Sequence, residues 1–283
     1  MMEPSVSVRC VKVSPQGVAE QRDRRVPHEV PVALVYGGST YAVMMASPSD
    51  LEDFAVGFSL TEGVISSPDE IESLEVVEQA GGIELRMWLA AHRTRDLVDR
   101  RRRIAGPTGC GLCGVESLEA ALPVHPPVTG TVAVTAADIA SAMAALAPAQ
   151  VLNHETHAVH GAGFWAKPCG LVAVVEDVGR HNALDKLIGR LRRSKVEATG
   201  SGMVILTSRV SVEMVQKVAV LGAPIIVAVS APTALALQTA ESAGITLVAV
   251  ARADSFEVFT HAHRIQGLSS TVAEDKGKVD HAA

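Results

Sequence analysis

The chain has 283 residues, of which 48% are hydrophobic and 20% are charged, and this composition excludes an intrinsically disordered protein. The formal net charge of −6 argues against a general nucleic-acid binder, because such proteins bind by neutralising phosphates with basic residues. Residues 1–17 contain no basic region followed by an apolar run, so a secretory signal peptide is not predicted.

One uncharged stretch, residues 218–237, has the length of a transmembrane helix. Gly222, Pro224 and Pro232 interrupt it, and these residues predict the end of a helix, a short strand and the start of another helix. We therefore expect a cytoplasmic protein that binds neither a membrane nor nucleic acid.

The first part of the chain is predicted to be rich in strands. Val6, Val8 and Cys10 alternate with polar residues as in a half-buried strand, and Asp50 is placed to cap a helix. Two glycine pairs predict tight turns between further strands. The turns lie at residues 37–38 and 81–82, and the strands around them cover residues 30–36, 40–46, 71–78 and 83–89.

Residues 92–103 form a polar segment that ends in four arginines, and a proline-rich stretch at 123–127 predicts a domain boundary. Beyond it, strands and helices alternate, which predicts a largely parallel sheet with helices on both faces. The strands cover residues 171–175, 203–207, 225–229 and 245–250, and the helices cover 135–146, with Thr135 as its cap, 181–193, 212–221 and 233–243. The predicted fold class is therefore α/β, with a smaller strand-rich domain over residues 1–127 and an α/β domain over residues 128–283.

Cys110 and Cys113 lie within reach of each other on the glycine-rich loop 106–114. Such a pair can bind zinc, act as a redox couple, pack as structural cysteines or carry a persulfide. Structural zinc usually needs a second pair, whereas Cys10 and Cys169 stand alone, and a thioredoxin-like site needs a strand that leads into it. The glycines of the loop favour a mobile segment over a packed core. The residues alone leave these roles open.

Polar residues follow several of the predicted strands. Arg180 comes just after one strand, residues 230–233 follow another, and Arg252 follows the last. Because α/β sheets usually bind ligands at the carboxyl ends of their strands, these residues predict one crevice for a phosphate-bearing ligand. The alternative for Arg180 is a solvated residue at a helix start.

Two motifs that would indicate other chemistry are incomplete. His154 and His157 lie three residues apart, whereas a zinc protease helix has two histidines four apart. A zinc deaminase needs His-x-Glu upstream of Pro-Cys-x-x-Cys, and here Gly109 precedes Cys110. Neither a metal site nor a deaminase is therefore predicted.

Five sequence blocks, in this order, resemble the formate dehydrogenase accessory sulfurtransferases of the FdhD family. They are DFAVGFSLTEG at residues 53–63, CGLCG at 110–114, EDVGRHNALDK at 176–186, SRVSVEMVQK at 208–217 and SAPT at 230–233. The resemblance covers most of the chain. It implies a cytidine-deaminase-like, three-layer fold for the α/β domain.

The resemblance also implies a function. Members of the FdhD family take persulfide sulfur from a cysteine desulfurase and pass it to the molybdenum (or tungsten) bis(molybdopterin guanine dinucleotide) cofactor before formate dehydrogenase receives that cofactor. On this basis Cys110 bears the persulfide of a sulfurtransferase, and Cys113 is the second cysteine of the pair. The cofactor segment of the family corresponds to Val250, Ala251, Arg252, Ala253, Asp254 and Ser255.

The expected partners are the cysteine desulfurase and the catalytic subunit of formate dehydrogenase. A homodimer is expected because it is the commonest assembly of soluble proteins. The competing hypothesis is a chaperone that holds the molybdenum cofactor without transferring sulfur.

Two positions depart from the pattern of the family. A block that is often Thr-Gly-Gly-x-His is Thr-His-Ala-Val-His at residues 156–160, and Ala253 stands where glycine is common. Both changes add side chains where the backbone would approach a ligand closely.

Overall fold

The computed structural model describes residues 2–104, 126–130, 132–196 and 202–268 of the chain. Within these ranges the protein is a mixed α/β structure with seven α-helices and several sheets, which confirms the α/β class. The loop with Cys110 and Cys113 lies outside the described residues. The cytidine-deaminase-like assignment and the division between residues 127 and 128 stay predictions.

The chain begins with a two-stranded antiparallel ribbon made of β1 (Ser5–Val13) and β2 (Ala19–Pro27). The alternation of Val6 and Val8 predicts a half-buried strand. The strand is confirmed, and its burial is confirmed only in part: Cys10 is half-buried, whereas Val6 and Val8 are 37% and 38% exposed. A ribbon of two strands is too small to build a core of its own. It attaches to the rest of the protein through Glu155, which accepts a hydrogen bond from Ser5 Oγ (2.8 Å).

The next four strands form a single sheet. They are β3 (Val30–Tyr36), β4 (Ser39–Ala46), β5 (Ile71–Gln79) and β6 (Gly82–Leu89), and they lie in the order β4-β3-β6-β5. Both predicted hairpins are confirmed, and the two central strands, β3 and β6, run parallel. Helix α1 (Leu51–Thr61) follows β4, and helix α2 (Ala91–Ile104) follows β6.

The second part of the chain builds a six-stranded sheet. After the short strand β7 (Val134–Thr135) come β8 (His160–Ala166), β9 (Gly170–Asp177), β10 (Gly202–Leu206), β11 (Ile225–Ala228), β12 (Thr246–Ala249) and β13 (Glu257–Val258), and β14 (Ile265–Gln266) pairs with β7. The order in the large sheet is β13-β12-β11-β10-β8-β9.

Only β10, β11 and β12 run parallel to one another, so the prediction of a largely parallel sheet is wrong. β8 is antiparallel to both of its neighbours, and β13 is antiparallel to β12. The physical reason is the connection between β8 and β9. Residues 167–169 are too few for the crossover that parallel strands require, and they form a hairpin turn instead.

Helices pack on both faces of this sheet, as predicted. The helices of this part are α3 (Ala136–Ala149), α4 (Val151–Thr156), α5 (Arg180–Arg193), α6 (Val212–Leu221) and α7 (Ala234–Ser242). Because side chains alternate along a strand, Val204 and Leu206 of β10 join a core that includes α1, α5 and α6. Met203 and Ile205 point to the other face and pack in a second core with Ile139 of α3.

Helices α1 and α5 meet in direct backbone contact. A Cβ atom on Gly57 would lie 1.7 Å from Asp185 O, and one on Gly189 would lie 1.8 Å from Asp53 O. Only glycine therefore fits at these two positions. Since α1 belongs to the strand-rich segment and α5 to the α/β segment, the two segments share one hydrophobic core.

The helix ends test three predicted signals. Thr135 caps α3 as predicted: its Oγ1 accepts from Asp138 N (3.2 Å), and its own N–H donates to Asp138 Oδ2 (2.7 Å). Gly222 ends α6 with φ 84°, and no helix of the described ranges is long and apolar enough to cross a membrane. Asp50 precedes α1 but does not cap it, because its φ is 52° and its carboxylate pairs with Arg190.

Glu70 holds the loop before β5 against helix α2. Its carboxylate accepts hydrogen bonds from Ser66 N (2.6 Å) and Arg93 Nε (2.9 Å). Burial raises the pKa of Glu70, but these bonds and a contact with His92 outweigh burial and lower the pKa from 4.5 to about 2. A carboxyl group with a lowered pKa in the folded state stabilises the fold above its unfolded pKa. That stabilisation is lost as the pH falls toward 2.

We therefore expect Glu70→Gln to lower the free energy of unfolding by ~1–2 kcal/mol at neutral pH, after allowance for solvent screening. Urea unfolding over an acid series should show this difference from wild type shrinking as the pH falls from about 4.5 to about 2. Glu72→Gln, at an exposed position of β5, is the matched control and should change stability little. A loss at Glu70 that is independent of pH would contradict the prediction.

Candidate functional site

The carboxyl ends of four strands meet at one edge of the six-stranded sheet. β10, β11 and β12 are parallel, and β9 runs in the same direction because β8 is antiparallel to both β9 and β10. His160, at the start of β8, lies at the same edge. The structure thus places Arg180, residues 230–233 and Arg252 along this one edge, but β8, β10 and β11 separate the strand before Arg180 from the strand before Arg252, and the single crevice expected from the sequence stays a prediction.

Backbone hydrogen bonds hold these strand ends in a fixed arrangement. The bonds are Val229 N to Leu206 O (2.9 Å), Thr233 N to Val210 O (3.0 Å) and Ala251 N to Ala228 O (3.0 Å). They join the segments after β10, β11 and β12 to one another. The edge is therefore a continuous surface of backbone and short loops, as α/β ligand sites usually are.

Residues 250–255 leave β12 in a strained turn. Val250 has φ 51°, a conformation that a β-branched residue rarely adopts, and residues with such strain are enriched at functional sites. Arg252 N donates to Ser255 O (2.8 Å), and the Arg252 guanidinium group donates to Val229 O. Residues 252–255 are exposed. The segment therefore presents an arginine and two polar side chains to solvent on a backbone that other loops hold in place.

The two departures from the family pattern differ in their consequences. Ala253 does not have a positive φ, so the alanine causes no backbone strain. His157 ends α4 with φ 54°, a conformation that glycine adopts without cost and histidine adopts more readily than most residues. The backbone thus explains why glycine is common at the position of His157.

Asp177, the last residue of β9, anchors the turn that leads into α5. The side chains of Asp177 and Lys186 are both 0% exposed, and Lys186 Nζ lies 2.6 Å from Asp177 Oδ2. The Asp177 carboxylate also accepts from Ser47 N (3.0 Å), Gly179 N (2.7 Å) and Asn182 Nδ2 (3.0 Å). Sequence reasoning misses this anchor. The available signal was a lysine among the apolar residues of an amphipathic helix.

Arg180 and His181 begin α5 at the edge of the sheet. His181 Nε2 lies 2.7 Å from Glu213 Oε2, yet burial, as the largest cause, lowers the pKa of His181. Burial also lowers the pKa of His160, and the positive charge of Arg180 lowers it further. Both imidazoles are therefore biased toward the neutral form.

Three of the family-type blocks meet in a second ion network. Lys217 Nζ lies 2.8 Å and 2.9 Å from the two carboxylate oxygens of Asp185 and 2.9 Å from Thr61 Oγ1. Each residue comes from a different helix, namely α6, α5 and α1. Within this network the charge of Lys217 is balanced by that of Asp185. These residues of the family-type blocks therefore serve helix packing and need no ligand to satisfy them.

Cys110 and Cys113 lie outside the described residues, and their assignment as the catalytic pair stays a prediction. The other two cysteines are free thiols, and Cys10 is half-buried whereas Cys169 is exposed. Among the residues that the structure describes, no group of three or more His, Cys, Asp or Glu side chains is arranged to hold a metal ion.

Known proteins resemble this chain over nearly its full length. The model of the FdhD/NarQ family matches residues 27–266. The protein named sulfur carrier protein FdhD from Agrobacterium fabrum is 56% identical over 251 residues, which cover 88% of this chain and 92% of the relative. The protein of the same name from Cupriavidus necator is 47% identical over 259 residues, which cover 91% of this chain and 86% of the relative.

A solved structure extends the resemblance to the fold. The crystal structure of a Desulfotalea psychrophila protein, assigned as a formate dehydrogenase accessory protein, matches with a TM-score of 0.72 and 28% identity. The match covers 93% of this chain and 100% of that one. The family match includes all five sequence blocks, both cysteines of the pair and residues 250–255. This chain therefore belongs to the FdhD/NarQ family.

Proposed function

We propose that this protein is a sulfurtransferase that takes persulfide sulfur from a cysteine desulfurase and passes it to the molybdenum bis(molybdopterin guanine dinucleotide) cofactor of formate dehydrogenase. The observation that carries the proposal is the family match, which includes the Cys110 and Cys113 pair and joins this chain to relatives named sulfur carrier proteins. The assignment of the structural neighbour as a formate dehydrogenase accessory protein supports the link to that enzyme.

In the proposed transfer, the Cys110 thiolate attacks the outer sulfur of the persulfide on the desulfurase. A new S–S bond forms at Cys110, the S–S bond of the donor breaks, and the cysteine of the donor leaves as a thiolate. The exchange is balanced without an external oxidant or reductant. It requires an accessible thiolate, because the thiolate is the nucleophile in such exchanges. Cys113 is the second thiol, close enough in sequence to resolve or protect the persulfide.

The molybdenum cofactor is the substrate that receives the sulfur. We propose that its guanine dinucleotide binds along the sheet edge at residues 250–255. The exposed Arg252 supports this site because a guanidinium group pairs well with phosphate, and the strained Val250 supports it because such strain clusters at ligand sites. The cofactor then passes to the catalytic subunit of formate dehydrogenase. The homodimer expected from the sequence stays a prediction.

The test is to incubate the protein with a cysteine desulfurase and cysteine and then to weigh its peptides. We expect the peptide with Cys110 to gain a sulfur atom that a reductant removes. The peptides with Cys10 and Cys169 are internal controls and should gain none. Cys110→Ala should abolish both the gain of sulfur and the support of formate dehydrogenase activity, since the attacking thiolate is missing.

Two outcomes would overturn parts of this proposal. If sulfur accumulates on another cysteine and not on Cys110, the carrier residue is wrong. If Cys110→Ala still yields active formate dehydrogenase, the protein is a chaperone that holds the cofactor without transferring sulfur.

A further inference from the structure

The ribbon of β1 and β2 projects from the protein with both faces open to solvent. Between residues 6 and 25, Cys10 and Ser14 are half-buried and all the other residues are exposed. Each strand has 9 residues, so the ribbon is about 30 Å long. Because a two-stranded ribbon without a covered face is only marginally stable in water, we expect another surface to cover it.

One face of the ribbon is apolar toward its tip. Residues that lie opposite each other point to the same side, and Val11 and Val13 lie opposite Gln21 and Ala19. The two valines are 55% and 61% exposed, and Val18 in the turn is 69% exposed. Apolar side chains that are exposed together mark contact sites for proteins. We call Val11, Val13 and Ala19 the valine face.

The opposite face carries unpaired positive charge. Arg22 lies opposite Cys10 and Arg24 lies opposite Val8, so neither arginine faces a carboxylate across the ribbon. Arg24 donates to a backbone oxygen, Thr156 O (3.2 Å), and Arg22 has no hydrogen-bond or ion-pair partner among the described residues. We call Arg22 and Arg24 the arginine face.

The charge of the ribbon is opposite to that of the rest of the chain. Residues 5–27 contain five basic and two acidic residues, which give a net charge of +3. The whole chain carries −6, so the remaining residues carry −9. Because exposed valines and unpaired arginines occur together on the ribbon, the surface that complements it is acidic and has an apolar patch.

The composition of the ribbon indicates which class of partner it fits. Residues 5–27 contain no aromatic side chain, whereas proteins that bind single-stranded nucleic acids stack the bases on aromatic rings. Segments that lie on a membrane use Trp, Phe or Leu as anchors, and this stretch of sequence contains none of them. Valines beside arginines instead fit a protein surface, in which charged groups surround an apolar centre.

The base of the ribbon lies beside the candidate site. Arg25 Nε lies 3.4 Å from Glu155 Oε2, and Arg24 contacts Thr156, the last residue of α4. β8 begins four residues later, at His160, on the edge where the carboxyl ends of the strands meet. Thr156 is therefore at most about 14 Å from that edge. A protein that docks on the ribbon is placed next to the edge of the proposed nucleotide site.

We propose that the ribbon is a docking arm for the protein that receives the cofactor, the catalytic subunit of formate dehydrogenase. An acidic surface of that subunit contacts the arginine face, and an apolar patch covers the valine face. The identity of the partner rests on the proposed function, whereas the chemistry of the ribbon does not. The model of the FdhD/NarQ family begins at residue 27, where the ribbon ends, so the ribbon is additional to the matched part of the chain.

The test is the affinity of the full chain for the purified catalytic subunit without its cofactor, measured by biolayer interferometry. We expect wild type to bind more weakly as the salt concentration rises, because the contact is partly electrostatic. Arg22→Glu should weaken binding at least about tenfold, and Val13→Ser at least about threefold. The matched controls are Lys195→Glu, an exposed site just beyond α5, and Val43→Ser, an exposed site of β4. Both should bind as wild type does.

The gain of sulfur at Cys110 separates this proposal from the proposed function. All four variants should gain sulfur as wild type does, because the ribbon takes no part in that exchange. If wild type gains sulfur and all variants bind the subunit equally well, or wild type does not bind it, the docking arm is overturned and the sulfur carrier stands. If Cys110 gains no sulfur but binding of the subunit depends on Arg22 and Val13, the sulfur carrier fails and the docking arm stands.

A different occupant of the ribbon would also overturn the proposal. If Arg22→Glu and Val13→Ser keep their affinity for the subunit but lose affinity for the cysteine desulfurase, the ribbon docks the sulfur donor. If they instead lose self-association in light scattering, it docks a second copy of this chain. If they instead lose binding to vesicles of phosphatidylglycerol or to duplex DNA, the ribbon fits an anionic lipid or nucleic-acid surface rather than a protein.

Discussion

Replacing Lys186 with methionine is expected to lower the free energy of unfolding by about 3–5 kcal/mol, because it leaves the Asp177 carboxylate buried without its counter-charge. Both side chains are fully buried, so water cannot replace the lost partner. Methionine fills most of the space of lysine, and the loss therefore reports the charge rather than a cavity. Chemical unfolding of the two proteins measures the difference.

A double replacement separates the charge from the packing. Asp177→Asn combined with Lys186→Met removes both charges, and it should be less destabilised than Lys186→Met alone. Lys12→Met, at an exposed position of the ribbon, is the matched control and should change stability by less than about 0.5 kcal/mol. Equal stability of Lys186→Met and wild type would show that Asp177 does not need this partner.

The same ion pair also positions the turn that leads into α5. Asp177 accepts from Gly179 N, and Lys186 Nζ donates to Ser47 O (2.9 Å), so the pair holds the turn before α5 against the strand-rich segment. Ser47 Oγ in turn accepts from Val178 N (3.1 Å). If this anchor loosens, Arg180 moves with the turn. Lys186→Met should therefore disturb the turn that carries Arg180 as well as the stability of the fold.

The parts of the fold that the sequence predicts are those with local causes. The hairpins at 37–38 and 81–82 follow from glycine turns between apolar strands, and the capped start of α3 follows from Thr135 and Asp138. Strand β8 escapes prediction because its sequence, HGAGFWA, contains two glycines, which disfavour strands. Gly163 is required there because a Cβ atom would lie 2.9 Å from Ile205 Cγ1 on the neighbouring strand. That reason exists only in the folded sheet.

The features of the candidate site also divide into those that the sequence predicts and those that it does not. The common edge of Arg180, residues 230–233 and Arg252 is predictable, because parallel strands end at the same side of a sheet. The anchor under Arg180 is not, since Ser47 lies 130 residues from Asp177 and a serine carries no signal for such a contact. The positive φ of Val250 also cannot be predicted from the sequence, because a valine at the end of an apolar run predicts an ordinary strand residue.

The family-type blocks serve two purposes in this protein. Residues 53–63, 176–186 and 208–217 supply Thr61, Asp185 and Lys217 to one structural network, and the first two blocks also bring α1 and α5 together. The block at 176–186 additionally presents Arg180 to the edge. The helices that form the core are therefore the same elements that hold the loops of the candidate site, so a variant that disturbs their packing should also disturb that site.

The contact between α1 and α5 gives the sharpest test of that packing. Gly57→Ala is expected to lower the free energy of unfolding by about 3 kcal/mol, because its Cβ atom would lie 1.7 Å from the backbone oxygen of Asp185. Alanine favours a helix by about 1 kcal/mol over glycine, but a backbone clash between two helices can be relieved only by moving them apart. The steric overlap therefore outweighs the gain in helix propensity, and the variant should be less stable than wild type. Gly189→Ala, on the facing helix, should lower the free energy of unfolding for the same reason.

Gly81→Ala is the matched control, because a Cβ atom at Gly81 meets no atom within 4 Å and the residue does not have a positive φ. Its midpoint of urea unfolding should stay close to that of wild type, whereas the midpoint of Gly57→Ala should fall. If the two variants unfold at the same urea concentration, α1 and α5 are not in backbone contact. A fall in the midpoint of Gly57→Ala with no fall in Gly81→Ala would show that the backbone contact between α1 and α5 stabilises the fold.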